Sequence, residues 1–482
     1  MRQRTFFWGA AMFLSFAIGS SFMVAAEQDA NEPPPPPTAE ANDQNSNTQD
    51  KVVWKPAVEP KSLSNEVQKG LDWLVGHQLE SGAWGQGEES AHMRGSSRVM
   101  LDGAAKKVPD VTPVKGMPLK SVPEKIEKSA RIRPTQMSQT NNAEKVNTAE
   151  IPSVADTCMA ALALIRSGST PSKGPYAENV LKAINFICSQ VEEADEKSLF
   201  ITQTRGTRVQ SKLGPYIDTF MAAMLLPEVL KQMPDDAGNK RVKTALEKVL
   251  KKMELNQRED GTWSDQGWAS ALAQGAATKG INRSMQSGAN VSSKMQRKAE
   301  QYAQQSYDKS SGKFRGKGSA GVELYASSSN LSAMADSVNS NNERLKDAKE
   351  NLEKATSDEE RQELGQKVKR FEKAITDLEA QQEAVVKKLD DKRFIAGFGN
   401  NGGEEFLSYM NIGESLVVKG GDEWKKWDEK ITKNLNNVQN KDGSWSGHHC
   451  ITGRTFCTSA ALLVLMVDRA PFPVSDKVKR QR

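Results

Sequence analysis

Aromatic residues make up only 6% of this 482-residue chain, and alternating β-branched runs are missing. A sandwich or barrel of strands is therefore excluded as the main architecture. An excess of one charge is lacking too. The 66 Lys and Arg stand against 61 Asp and Glu, a net of +5, with no clustered basic surface of the kind that nucleic acid requires. After Val24 no further long apolar run occurs, so nothing later reads as a membrane span. A Gly-x-Ser-x-Gly nucleophile elbow is absent. The stretch Gly397-Phe-Gly-Asn-Asn-Gly-Gly403 carries no Lys and precedes no strand, so it is not a phosphate loop.

What is present begins with an export signal. Arg2 and Arg4 precede an apolar stretch from Phe6 to Val24, and Val24-Ala25-Ala26 fits a cleavage site. Residues 1–26 thus read as a signal peptide, directing the chain to the periplasm or cell envelope, or as an N-terminal anchor if uncleaved. Without its two Arg the mature chain has 456 residues and a net charge of +3. Residues 27–60, with the run Pro33–Pro37, form a disordered tether that cannot bury enough apolar surface to offset its ordering entropy. Residues 87–150, rich in Lys, Pro, Ser and Gln, read as a long flexible insertion, and 471–482 as a basic tail.

Between them, 61–470 is helical, with two alternating helix types. One is small and apolar all round, which belongs inside a packed structure: 156–164, 218–226, 268–277, 324–335, 406–418 and 457–467. The other is amphipathic and charged: 63–79, 176–190, 239–257, 291–307 and 422–439. Three of the amphipathic helices end in the same pattern, Gln-x-x-x-Gly-x-Trp: Gln78/Gly82/Trp84, Gln257/Gly261/Trp263 and Gln439/Gly443/Trp445. Gly there suits a left-handed helix stop, and the Trp can fold back over the helix end. Recurrence at fixed spacing implies a repeat architecture. Gln305–Gly312–Phe314 is a weaker copy.

This Gln…Gly-x-Trp turn after a helix resembles the repeat of squalene cyclases and protein prenyltransferases, over most of residues 60–470. The resemblance implies an all-α fold, an (α/α)6 toroid of inner and outer helices with a site in the central cavity. The sixth outer position falls at 341–392. There Leu345, Leu352, Leu364, Val368, Phe371, Ile375, Leu378, Val385 and Leu389 lie on heptad spacing, which predicts an inserted antiparallel coiled-coil hairpin. It reads as an arm for a partner protein or for self-association, or as a helix packed on the ring.

Candidate chemistry is sparse. Asp156, Asp218, Glu323 and Glu405 begin inner helices, so a ring would gather them at one mouth. Acids at helix starts also serve as caps. The cyclase acid motif Asp-x-Asp-Asp-Thr-Ala corresponds to Ser153-Val-Ala-Asp156-Thr-Cys, with Ala155 where the proton donor belongs. The prenyltransferase zinc set of Asp, Cys and His is matched only by His448, His449 and Cys450, without a paired Asp-x-Cys, so no cofactor or metal is predicted. The closed ring makes the first and last inner helices neighbours. In that register Thr157 aligns with Cys457, so a Cys158–Cys457 disulfide would lock the ring. Cys450–Cys457 is the local alternative. Three functions follow: a non-catalytic binding or scaffolding protein of the cell envelope, which the broken motifs favour; a cyclase- or prenyltransferase-like enzyme acting on an isoprenoid or lipid; and a polysaccharide lyase or hydrolase. The central cavity could accordingly take a lipid or a glycan.

Overall fold

A computed structural model describes residues 52–88, 150–399 and 401–475. The signal peptide, most of the tether, most of the 87–150 insertion and the end of the basic tail lie outside the described residues. The elements run in the order β1 (Val52–Pro56), α1 (Asn65–Gly76), α2 (Val154–Arg166), α3 (Ala177–Glu193), α4 (Arg208–Leu213), α5 (Ile217–Leu225), α6 (Asp236–Asn256), α7 (Ser270–Gln286) and α8 (Ser293–Gln305). They continue with β2 (Tyr307–Asp308), β3 (Lys313–Phe314), α9 (Glu323–Lys354), α10 (Asp358–Val386), α11 (Lys392–Ala396), α12 (Gly403–Lys419), α13 (Gly421–Asn437), α14 (Arg454–Leu465) and β4 (Pro471–Ser475). The chain is therefore all-α apart from two antiparallel strand pairs among the described residues, β1–β4 and β2–β3.

The six apolar segments become α2, α5, α7, the first half of α9, α12 and α14. They pack in sequence, α2 on α5, α5 on α7, α7 on α9, α9 on α12 and α12 on α14, and α14 returns to α2. Their residues are buried on almost every side, as all-round apolar or small composition requires. The amphipathic helices α1, α3, α6, α8 and α13 bury one stripe only, such as Trp424, Trp427, Ile431 and Leu435 of α13.

The three Gln…Gly-x-Trp turns have one geometry. Each indole N–H donates to the carbonyl ten residues earlier in its own helix: Trp84 to Leu74 at 2.8 Å, Trp263 to Met253 at 2.7 Å and Trp445 to Leu435 at 2.8 Å. The Leu74 and Leu435 carbonyls also accept the backbone N–H three residues on, so there the indole is a second donor. Each Gln amide donates to its own Gly carbonyl and to the first turn of another amphipathic helix: Gln78 to Asn179, Gln257 to Met295 and Gln439 to Glu66.

The glycines of these turns are left-handed, as expected, but they are not the helix stops. The helices already end at Gly76, Asn256 and Asn437. Gly82, Gly261 and Gly443 follow in the next tight turn, where each N–H donates three residues back, to Leu79, Arg258 and Asn440 at 2.9, 3.0 and 3.0 Å. Gly82 and Gly261 take φ 84° and Gly443 takes φ 89°. The reason for glycine is the reversal itself and the close approach of a neighbouring helix. A Cβ on Gly82, Gly261 or Gly443 would stand 2.6, 2.2 or 2.6 Å from the backbone oxygen of Lys182, Lys298 or Lys69, closer than any side chain tolerates. The weaker copy differs: β2 and β3 form a short hairpin that buries Phe314.

Two sequence boundaries shift. Val52–Pro56, read as tether, pairs with Pro471–Ser475, read as tail. Trp54 and Phe472, aromatic residues of the kind that favours strands, belong to this ladder, and Phe472 is buried. Residues 341–392 form the outer end of α9 and all of α10. α9 is one unbroken helix from the packed core outward, joined to α10 by Ala355–Ser357. Val368, Phe371, Ala374, Leu378 and Val385 of α10 are buried, and Gln382 donates to Ser415 of α12 at 3.0 Å. The C-terminal half of α10 therefore packs on the core, while residues 357–363 are exposed. No helix among the described residues is long and apolar enough to cross a membrane.

Candidate functional site

Of the four acids that the sequence singles out, Asp156 and Asp218 lie near each other at the helix heads, and Glu405 belongs to a separate group at the head of α12. Asp218 of α5 reaches across to α2, where it accepts the N–H of Ala155 at 2.9 Å, and Gln210 donates to its second oxygen at 2.7 Å. Asp156 of α2 accepts the Ser153 hydroxyl at 2.5 Å and faces the N–H of Phe456 on α14. Asp218 thus caps the neighbouring helix, where open N–H groups and the positive dipole end favour a carboxyl, while Asp156 Oδ1 is buried without a hydrogen-bond partner. Burial pushes Asp156 up to about 7 and also raises Asp218. Glu323 does not join them. It is half-exposed and pairs with Lys388, because the first residue of α9 faces the base of α10 rather than the helix heads.

Glu405 is fully buried. Its Oε1 accepts the Tyr325 hydroxyl at 2.5 Å and the Phe398 N–H at 2.9 Å, and its Oε2 stands 3.6 Å from His449 Nε2. Its neighbour Glu404, equally buried, accepts the N–H of Ile451 at 3.1 Å. Burial, and then the charge of Glu405, push Glu404 up to about 8, so it is a neutral acid at pH 7. Burial also lowers the basicity of His449, against the opposing pull of Glu405. Between His449 and Ile451, Cys450 adopts φ 55°, a left-handed turn that costs a non-glycine residue about 1–2 kcal/mol. That turn lets His449 address Glu405 while Ile451 addresses Glu404. The Gly-rich loop fits closely around this pair. A Cβ on Gly402 would lie 2.7 Å from Glu405 Oε2, and one on Gly399 2.6 Å from the His449 ring.

Above the buried pair stand two exposed rings, Trp268 (40% exposed) and Phe398 (53%). They meet edge to face at 5.5 Å, and Phe398 meets the His449 ring at 5.1 Å. The Lys212 ammonium lies 5.7 Å from the Trp268 ring centre.

The remaining sequence candidates are dispersed or inert. His448 is exposed and donates its backbone N–H to the Asn401 carbonyl at 2.7 Å. Burial and Glu404 push the Cys450 thiol up to about 12, which makes it a poor nucleophile. Among the described residues no group of three His, Cys, Asp or Glu is placed to hold a metal ion. All four cysteines are buried free thiols, so neither the Cys158–Cys457 bridge nor the Cys450–Cys457 alternative is formed. The register explains the first. Trp84 N–H donates to Thr157 and Trp445 N–H to Thr458, both at 2.9 Å, so Thr157 corresponds to Thr458, not to Cys457. Cys457 occupies the position of Asp156 and lies among Glu404, Asp156 and Glu405, whereas Cys158 lies by Asp218.

Sequence reasoning missed Glu404 and Tyr325, single residues in the first turns of their helices, and Lys212, a lone Lys near the end of the short α4. It also missed a buried ion cluster at the other helix ends. Glu414 of α12 pairs with Lys279 of α7, and contacts Arg166 of α2 and Arg283 of α7 at 3.6 Å each. Asp336 of α9 stands 3.6 Å from Lys279 and from Arg283, and Glu228 accepts from Arg166 and Arg283. Three cations and three anions balance, and all six side chains are more than nine-tenths buried. The helices α2, α7 and α12 are not consecutive in the packing order of the apolar helices, so these side chains join helices that are not neighbours in it. Arg283 also donates to Pro471 at the start of β4. Charges inside otherwise small or apolar helices were the available signal.

No family model matches this chain, and neither the curated proteins nor the solved structures contain a match.

Proposed function

We propose that the chain is a closed (α/α)6 toroid of the prenyltransferase and squalene-cyclase repeat type, exported to the cell envelope, where it works as a non-catalytic binding or scaffolding protein. In this reading residues 341–392 form an antiparallel coiled coil whose outer end is the arm for self-association or a partner protein. The observation that carries the reading is the ion cluster. In such a ring Arg166, Lys279, Arg283, Glu228, Asp336 and Glu414 would occupy the middle, where an enzyme of that class would hold its substrate. Ala155, which stands where the cyclase motif carries its proton donor, supports it further.

The test is native mass spectrometry and light scattering of the mature protein beside a variant in which residues 346–365 are replaced by a Gly-Gly turn. That cut removes the outer end of α9 and α10 and spares the half of α10 packed on α12. A discrete oligomer that becomes monomeric in the variant, with no bound lipid, is expected. A monomer in both cases together with a co-purified isoprenoid would reject the scaffold and restore the enzyme.

A further inference from the structure

Six side-chain atoms around the head of α12 are buried without a hydrogen-bond partner: Glu404 Oε1, Glu405 Oε2, both ring nitrogens of His449, Ser408 Oγ and Thr452 Oγ1. Each such atom costs about 1–3 kcal/mol in a folded protein. Glu404, Glu405, Ser408 and Thr452 are completely buried, and Ser408 lies one turn below Glu404 on the same helix face. Outside this group stand the two exposed rings.

We propose that the head of α12 is a subsite for a neutral polyol, a sugar unit of a glycan, which stacks on Trp268 and partners Glu404, Glu405 and His449 once the Phe398 ring swings aside. The chemistry of the set selects this class. The hydroxyls of a sugar both donate and accept, and the site offers both: acceptors on Glu405, an acid proton on Glu404, a neutral imidazole and the Lys212 ammonium. Glu404 is a neutral acid at pH 7, and burial lowers the basicity of His449. An ammonium ligand would find Lys212 already placed over Trp268. A hydrocarbon would leave the buried polar atoms unpaired, which is unfavourable. Phe398 is built to move. It lies between Gly397 (φ 58°) and Gly399, it is largely exposed, and its N–H is held by Glu405. Ligand hydroxyls at Glu405 would compete for the carboxylate that anchors it. The inference extends beyond the scaffold reading and does not depend on the arm.

The test is calorimetric titration of the full mature protein with chitotetraose, cellotetraose and maltotetraose, and separately with tetramethylammonium and farnesol. One of the neutral oligosaccharides is expected to bind with a Kd of about 1 mM or tighter. Trp268→Ala should weaken it roughly tenfold or more, Trp268→Tyr should retain it, and Phe398→Ala should speed association without loss of affinity. Thermal melting of each variant establishes that it is folded. Absence of binding by all three oligosaccharides, equal binding by Trp268→Ala, or binding of tetramethylammonium or farnesol instead would each overturn the proposal.

Discussion

The side-chain amide of Gln439, just past the end of α13, donates to the backbone carbonyl of Glu66, in the first turn of α1, at 2.8 Å. The bond joins the last amphipathic helix to the first across 373 positions of sequence. Gln78 makes the same bond between α1 and α3. A contact that elsewhere joins successive amphipathic helices here joins the last to the first, with Gly443 pressed on the Lys69 carbonyl as Gly82 is on Lys182 and Gly261 on Lys298.

Gly443→Ala should therefore destabilise the whole protein. The substitution adds left-handed strain at φ 89° and a Cβ 2.6 Å from the Lys69 oxygen. A loss of roughly 3 kcal/mol is expected from strain and overlap together. Gly312→Ala is the control, because its φ is also positive at 65° but nothing lies within 4 Å. Urea unfolding of both variants separates the terms. Equal losses would mean that the Lys69 contact contributes nothing.

Glu414→Gln should cost about 3–5 kcal/mol, the usual effect of removing one partner from a buried ion group. Lys279, Arg283 and Arg166 all lean on this carboxylate. Circular dichroism during chemical denaturation reads the change. Exposed pairs such as Lys243–Glu247 should give less than about 1 kcal/mol in the same assay.

Stability should peak in mildly acidic solution. Glu404 titrates at about 8 against an ordinary 4.5, and Asp156 at about 7 against 3.8. A carboxyl raised by folding contributes stability that is complete below its unfolded value and is lost as pH rises through its folded one. That contribution therefore fades between roughly pH 4 and pH 8. Glu414 has the opposite sign. Burial alone would raise it, but Lys279, Arg283 and Arg166 hold it at about 2, so its contribution disappears as pH falls from about 4.5 towards 2. Melting temperatures measured from about pH 3 to about pH 9 should pass through a maximum near pH 4–5, and Glu404→Gln should flatten the alkaline limb only. A wild-type melting temperature that climbs from about pH 5 to about pH 8 would contradict the neutral state of Glu404.

Thiol titration tests the cysteines directly. Four reactive thiols are expected in denaturant without reductant, and slow reaction of all four in the native protein, since all are buried. A count of two in denaturant would restore a disulfide.

The helix inventory was legible in the sequence because burial imposes composition. Segments such as Asp218–Leu226 are apolar on every side, and the α13 segment is apolar on one stripe, so each announces its place before any contact is known. The Gln…Gly-x-Trp corners were legible because a left-handed glycine and a returning indole are needed at one fixed spacing. That Gly82, Gly261 and Gly443 turn the chain beyond the helix, against a neighbour's backbone, was not. The tertiary structure decided what depends on groups far apart in sequence. It set Thr157 against Thr458 rather than Cys457, and so left the thiols unpaired. It parted Glu323 from the other acids. It brought Glu404, Glu405, Tyr325 and His449 together from three separate segments, and gathered six charges from helices that read as ordinary interior. Local composition fixes whether a residue is inside, but which distant partner it meets there depends on the angle and register of helix packing, which no short stretch of sequence encodes.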